Sequence, residues 1–295
     1  MAKSLKLHIA DNLDGRKAES ILEKELKLSR SLIGKLKRID RAVLLDGKEI
    51  KLTDRVYKGS TLDVNLPHRV NNDVEASDIP LEILYEDDFI IAVNKPYGMP
   101  SHPSRAHRED TLLNALKFRL GYTGHIITRL DKDTTGVVLV AKDPHIAAVM
   151  TEQMKQREIY KEYIALTDGI PNLKSGRIDA PVKKDKNSMK RIVSDDGQSA
   201  VTEYEILSED GKKSVVKLLP ITGRTHQLRV HMNYIGCPIH GDGLYGNSQE
   251  EGLYLHCRNI KFLHPFSKEL LTISAPLGKK WMNVYREEGV FNAEL

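Results

Sequence analysis

The sequence predicts an α+β fold in two parts, a small leading domain and a larger one built on a largely antiparallel central sheet. Three observations carry that expectation. At 295 residues the chain is long for a single core, and its composition breaks near residue 70. Beyond the break, strand-like apolar runs outnumber helical periodicities and do not alternate with them as β-α-β units would. Ahead of it, two helical stripes precede a pair of short strands around a tight turn.

In the leading part, Ala18, Ile21, Leu22 and Leu26 recur at helical spacing within residues 16–26, and Ser29 then suits the N-cap of a second helix. That helix should carry Leu32, Ile33, Leu36 and Ile39 as one apolar stripe, with Arg30, Lys35, Lys37 and Arg38 as a basic remainder. Asp46-Gly47 between 42–45 and 48–50 is a strong hairpin signal, and 61–66 alternates like a third strand. The stretch 67–80 has scattered charge, little apolar content and no period, and reads as a linker.

In the larger part, 81–85 and 89–93 read as strands around Glu86-Asp87-Asp88, followed by a loop with Pro96, Gly98, Pro100 and Pro103. Asp110 precedes a helical run over 111–120. Asp143-Pro144 opens another through Met154, with the acid as N-cap and proline at the first position. The apolar run 137–141 marks a buried strand. Tyr163, Ile178, 201–207, 215–219, 253–255 and 271–273 lie in or beside further strands.

Composition excludes several classes. The formal charge of +4 is modest, so the clustering of charge matters more than its total. Cys237 and Cys257 form no C-x-x-C, which fits a reducing compartment and offers neither disulfide framework nor zinc knuckle. No apolar run approaches signal-peptide or membrane-span length, so a cytoplasmic protein without a membrane partner is expected. Gly241 to Gly246 fits G-x-G-x-x-G, yet 247–252 makes a poor helix, so no dinucleotide site is expected. His226 and His231 are not spaced as paired ligands on a helix face and no acid or cysteine cluster joins them, so no metal is expected. They should shape a cleft or satisfy backbone groups. No phosphate loop or G-x-S-x-G elbow occurs.

The segment Arg129-Leu130-Asp131-Lys132-Asp133-Thr134-Thr135-Gly136 runs directly into the buried strand. Arg129 and Asp131 therefore lie at the lip of a core, where a carboxylate is costly unless paired or used. A polar turn leading into a strand is the plain alternative. About ninety residues downstream, Thr222 to His231 brings two arginines and two histidines into ten positions. Arg224 and Arg229 both qualify there as partners for the acid.

Together with Tyr160-Lys161-Glu162-Tyr163-Ile164-Ala165-Leu166, Asn94 to Pro100 and Pro238 to Asp242, these segments resemble the signature motifs of the RluA/RluD-type pseudouridine synthases over about 81–277. Residues 13–66 resemble an S4-like RNA-binding module. The resemblance implies an S4-like domain at 13–66, a linker at 67–80 and a catalytic domain at 81–289. The implied activity is isomerisation of uridine to pseudouridine in structured RNA, with no cofactor. Asp131 is then the nucleophile, Arg229 its ion-pair partner, and Tyr163 the ring that stacks on the base and takes the C5 proton late. Arg129 would fill the place of the flipped base. Thr128 stands where many relatives carry histidine, which implies altered flipping or target preference at most. Asp133 reads as a turn or cap residue. Arg30, Lys35, Lys37 and Arg38 would grip phosphates.

Large-subunit ribosomal RNA is the leading target, transfer RNA the second, and a monomer without nucleotide cofactor is expected. Two other classes compete, a non-catalytic ribosome-assembly factor and a glycosidic-bond hydrolase using Asp131 with Asp133. The joint presence of Asp131, Arg229 and Tyr163 favours the isomerase.

Overall fold

The computed structural model describes residues 3–26, 28, 30–66, 74–246, 252–278 and 281. The expectations for Ser29, for 67–73, for 247–251 and for a domain end at 289 lie outside the described residues. The chain divides into two compact units, Met1–Asn71 with Asp143–Val149, and Asn72–Lys142 with Met150–Leu295.

The first unit holds β1 (Lys3–His8), α1 (Ala18–Lys24), α2 (Arg30–Leu36), β2 (Val43–Leu45), β3 (Lys48–Glu49) and β4 (Thr61–Leu66). Its sheet runs β1-β4-β2-β3, antiparallel throughout. Alternation along β4 buries Leu62, Val64 and Leu66, and the helical stripes bury Ile21, Leu22, Ile33 and Leu36. Asp46 and Gly47 both have positive φ, 50° and 78°, as a two-residue hairpin turn requires. Ile39 does not join the expected stripe: α2 ends at Leu36 and Ile39 is 40% exposed. β1 is an element that the sequence reading lacked.

The second unit contains β5 (Glu82–Glu86), β6 (Ile90–Lys95), α3 (Leu112–Leu120), β7 (His125–Ile126) and β8 (Thr135–Ala141). α4 (Pro144–Lys155) begins in 143–149, grouped with the first unit, and ends in the second, where β9 (Tyr160–Asp168), β10 (Ser175–Asp179), β11 (Val182–Lys184), β12 (Arg191–Val193), β13 (Val201–Glu209) and β14 (Lys213–Pro220) follow. α5 (Gln227–Tyr234), β15 (Leu255–Leu263) and β16 (Leu270–Ser274) complete it. Asp143 caps α4 as expected, its Oδ1 accepting from the N–H groups of His145 and Ile146. α3 is capped by Thr111, in a box with Asn114, while the preceding Asp110 pairs with His107 at 2.6 Å. Asn114 also donates to the Glu75 carbonyl and Lys117 to that of Val74, so the described end of the expected linker is tied to α3.

The large sheet runs β10-β13-β14-β9-β15-β8-β6-β5, with β16 beside β15 and β7 beside β8. Among its described pairings only β8 with β15 is parallel. Val137 to Ala141 are fully buried because β8 lies inside the sheet. Gly136 lets β8 meet β15: a Cβ there, at φ 108°, would sit 2.2 Å from the Cys257 carbonyl oxygen. This close approach accounts for the glycine that ends the Arg129 to Gly136 motif.

Candidate active site

The Asp131 loop joins β7 to β8 and is held from below by the segment that follows β6. Lys95, fully buried at the end of β6, donates to the carbonyls of Pro96, Met99 and Lys132 at 2.8–2.9 Å. Ser101 Oγ donates to the Leu130 carbonyl at 2.8 Å. The backbone is thus clamped on both sides of Asp131, and Thr134 N–H closes a turn on the Asp131 carbonyl at 3.1 Å. Burial draws the Lys95 ammonium down to about 7, opposed by Asp133 and Asp131. Three carbonyl acceptors also favour the ammonium, since a neutral amine has only two protons to donate.

Above the loop lies a cavity of about 570 Å³, whose walls include Asp131, Arg129, Tyr163, Lys161, His226 and Arg229. The Asp131 side chain keeps 30% of its surface exposed there. Arg229, projected from α5, brings Nη1 to 3.8 Å from Asp131 Oδ2. Its paired hydrogen bonds go elsewhere: Nε and Nη2 both donate to the buried Asp242 at 2.7 Å. Asp242 can claim the guanidinium because it is preorganised; its Oδ1 also accepts from the N–H groups of Leu244 and Tyr245. Burial opposes the charge of Arg229, but Asp242 outweighs it and holds the pKa above its ordinary value. The Tyr245 ring packs 5.1 Å from the guanidinium carbon. Arg229 is therefore a rigid cation facing Asp131 without hydrogen-bonding it.

Tyr163 stands on β9 with 6% of its surface exposed. Burial and its contacts with Cys257 raise the phenol well above its usual range. It is protonated at neutral pH, which suits stacking on a base better than removal of the C5 proton in the resting enzyme. Lys161 shares that face of β9, and burial lowers its ammonium.

Arg129 is exposed at the cavity rim, and its charge reinforces burial in lowering the pKa of His102. Arg224 turns to the Ser199 carbonyl at 3.0 Å and makes no hydrogen bond to Asp131. Thr128 is buried, its hydroxyl accepting from Leu139 N–H at 2.9 Å, so it braces β8. His231 is satisfied by Thr202 and the Ala180 carbonyl, as expected. Cys237 and Cys257 are free and buried. In the first unit, Arg30 pairs with Glu23 and Lys37 with Glu19, both at 2.9 Å, while Lys35 and Arg38 are exposed. Asp242, which holds Arg229, and Lys95, which holds the Asp131 loop, were not singled out by sequence reasoning. Both lie in segments that carry the family resemblance, Asp242 in Pro238 to Asp242 and Lys95 in Asn94 to Pro100, but neither was given a role there.

Among the described residues no helix is long and apolar enough to cross a membrane, and no group of three or more His, Cys, Asp or Glu is arranged to hold a metal.

Comparison with known proteins matches residues 89–234 to the family described as RNA pseudouridylate synthase. A ribosomal large subunit pseudouridine synthase D from Xanthomonas campestris is 32% identical over 97% of this chain and 94% of its own length. The chain belongs to the RNA pseudouridine synthase family. An RNA pseudouridine synthase of Bacillus subtilis, itself uncharacterised, is 33% identical over 90% of this chain and 96% of its own. The human RNA pseudouridylate synthase domain containing 4 superposes with a TM-score of 0.58 at 29% identity, covering 70% of this chain and 92% of that one. The pseudouridine synthase fold and an RNA isomerase activity are thereby established.

Proposed function

We propose that Asp131 is the reacting carboxylate of this synthase and that its substrate is structured ribosomal RNA of the large subunit. The observation that carries the reading is that Asp131 is the one acid in the cavity wall among the described residues. It faces a fixed guanidinium and shares the cavity with a buried phenol.

Isomerisation breaks the N1–C1′ bond, turns the base, forms C5–C1′ and releases the C5 proton. A carboxylate can divide that change into two easier steps. Arg229 sets a fixed positive charge 3.8 Å from Asp131 without hydrogen-bonding its carboxylate, and Tyr163 supplies the face on which the turning base rests. The nucleotide must leave its helix to reach the cavity, at a cost of a few kcal/mol in lost stacking. Arg129, exposed at the rim, has the planar cation that fills the vacated stack. Lys35 and Arg38, with Arg30 and Lys37, form a basic segment suited to phosphates. The large-subunit designation of the Xanthomonas relative supports ribosomal RNA. The same reading has the enzyme act as a monomer in the cytoplasm, without a nucleotide cofactor.

The test is tritium release from transcripts labelled at uridine C5, with free uracil assayed alongside. Release from large-subunit fragments without free uracil is expected. Release confined to transfer RNA would move the target. Free uracil would make the protein a hydrolase, and tight binding without release would favour an assembly factor.

A further inference from the structure

His226 approaches Asp131 almost as closely as Arg229 does, its Nε2 lying 3.9 Å from Oδ2. Its backbone is in the left-handed region, φ 57°, at the N-cap of α5, yet its side chain makes no capping hydrogen bond. The ring is committed elsewhere. Nδ1 lies 2.9 Å from the Tyr245 hydroxyl, and that hydroxyl accepts from the Arg191 backbone N–H at 2.7 Å. With one lone pair so engaged, Tyr245 directs its own proton at Nδ1. Nδ1 then accepts, and the proton of a neutral imidazole resides on Nε2, the nitrogen facing the carboxylate.

We infer that His226 is a positioning residue of the reaction, its Nε2–H fixed by Tyr245 as the second donor to the Asp131 carboxylate beside Arg229. The inference rests on Asp131 being the reacting carboxylate. Arg229 is turned by its bonds to Asp242 so that Nη1 is the nitrogen facing Asp131, and a second donor is what fixes the plane of the carboxyl. The contact shortens to hydrogen-bond length once RNA fills the cavity, as such bonds commonly do on substrate binding.

The imidazole is neutral at pH 7. Burial lowers its pKa, assisted by Arg229 and Arg191 and opposed by Asp131 and Asp242. With Tyr245 these are the charged or titratable groups facing it from the Asp131 loop, α5, the Asp242 turn and β12. An imidazolium there would add a full positive charge beside Asp131 and blunt its nucleophilicity. Tyr245 opposes that state by donating to Nδ1, so its hydroxyl keeps the acid limb of activity low.

The test compares single-turnover tritium release at saturating RNA, RNA affinity and thermal unfolding for His226→Asn, His226→Gln and Tyr245→Phe. Asparagine tolerates the left-handed backbone but cannot reach the Nε2 position, whereas glutamine can present an N–H there. The expected result is a loss of about tenfold or more in rate for His226→Asn, the scale of one hydrogen bond to a charged group. RNA affinity and melting should be retained, His226→Gln should recover most of the rate, and Tyr245→Phe should shift the acid limb to higher pH. Equal rates for the asparagine and glutamine variants, or losses confined to affinity or melting, would overturn the inference. So would an unmoved acid limb in Tyr245→Phe, which applies even if the His226 variants fold poorly. Asp131→Asn run in parallel separates the two readings: if it stays active, the nucleophile assignment fails, whereas if it is inactive and His226 proves indifferent, only the positioning role fails.

Discussion

The loop 129–136 and the segment 30–38 are both dense in charge, yet they stand in opposite physical settings. Around Asp131 three buried polar side chains have named partners: Lys95 with three carbonyls, Ser101 with Leu130, Arg229 with Asp242. In the leading unit Lys35 and Arg38 lie in solvent, and Arg30 and Lys37 hold exposed ion pairs of little energetic weight. Precise chemistry requires groups held within fractions of an ångström, which burial and hydrogen bonds provide. A phosphate-gripping surface needs only charge that can adapt.

The contrast can be broken most sharply at Gly136. Gly136→Ala would drive a Cβ into the Cys257 backbone, and a loss upwards of about 5 kcal/mol in urea denaturation of the catalytic unit is expected. An alanine variant of normal stability would show that the β8–β15 junction can relax.

Lys95→Met comes next. It strips three carbonyls, one buried and two part-buried, of their donor, with an expected cost of about 3 kcal/mol and a collapse of single-turnover rate as the Asp131 loop loosens. Stability and rate close to wild type would reduce the clamp to ornament.

Acid should act on the same region. Burial pulls the pKa of His256 down to about 4, and His102, His226 and His231 are also lowered by burial. Between pH 6.5 and 4 the unfolded chain therefore binds protons that the native one refuses, so stability must fall as pH drops through that window. His256 alone contributes about 3 kcal/mol of the fall. Denaturation midpoints for wild type and His256→Gln at pH 7 and pH 5 check this: the variant should show the smaller drop, and equal drops would assign the acid sensitivity elsewhere.

The smallest effect belongs to the exposed segment. Lys35→Ala with Arg38→Ala should shift stability by less than about 0.5 kcal/mol. The slope of log RNA affinity against log salt should lose about one unit per cation removed. An unchanged slope would remove these side chains from the RNA interface.

Legibility in the sequence followed the range of the forces involved. The hairpin at Asp46-Gly47, the strand 61–66 and the Asp143-Pro144 cap rest on local backbone chemistry and could be read directly. β15 could be read only at its start, near 253–255, because His256, Arg258 and Asn259 interrupt its apolar pattern. Inside the sheet they are absorbed by Thr135, the Ala275 carbonyl and Glu162. β1 was hidden among lysines at the terminus. For the site, the spacing of the motifs singled out Asp131, Tyr163 and Arg229, which the fold brings to one cavity. The bond between Arg229 and Asp242 spans a turn whose glycines suggested a different ligand altogether. The tautomer of His226 depends on three segments meeting, information that no local window contains.

In the proposed reaction Asp131 carries the chemistry of the site. Its most direct measurement is single-turnover tritium release by Asp131→Asn at saturating RNA, with RNA affinity determined on the same preparation. The account predicts a rate lower by about 10⁴-fold or more with affinity retained, as for other residues that carry the reacting bond. A residual rate within about tenfold of wild type, too small a loss for a reacting group, would contradict it.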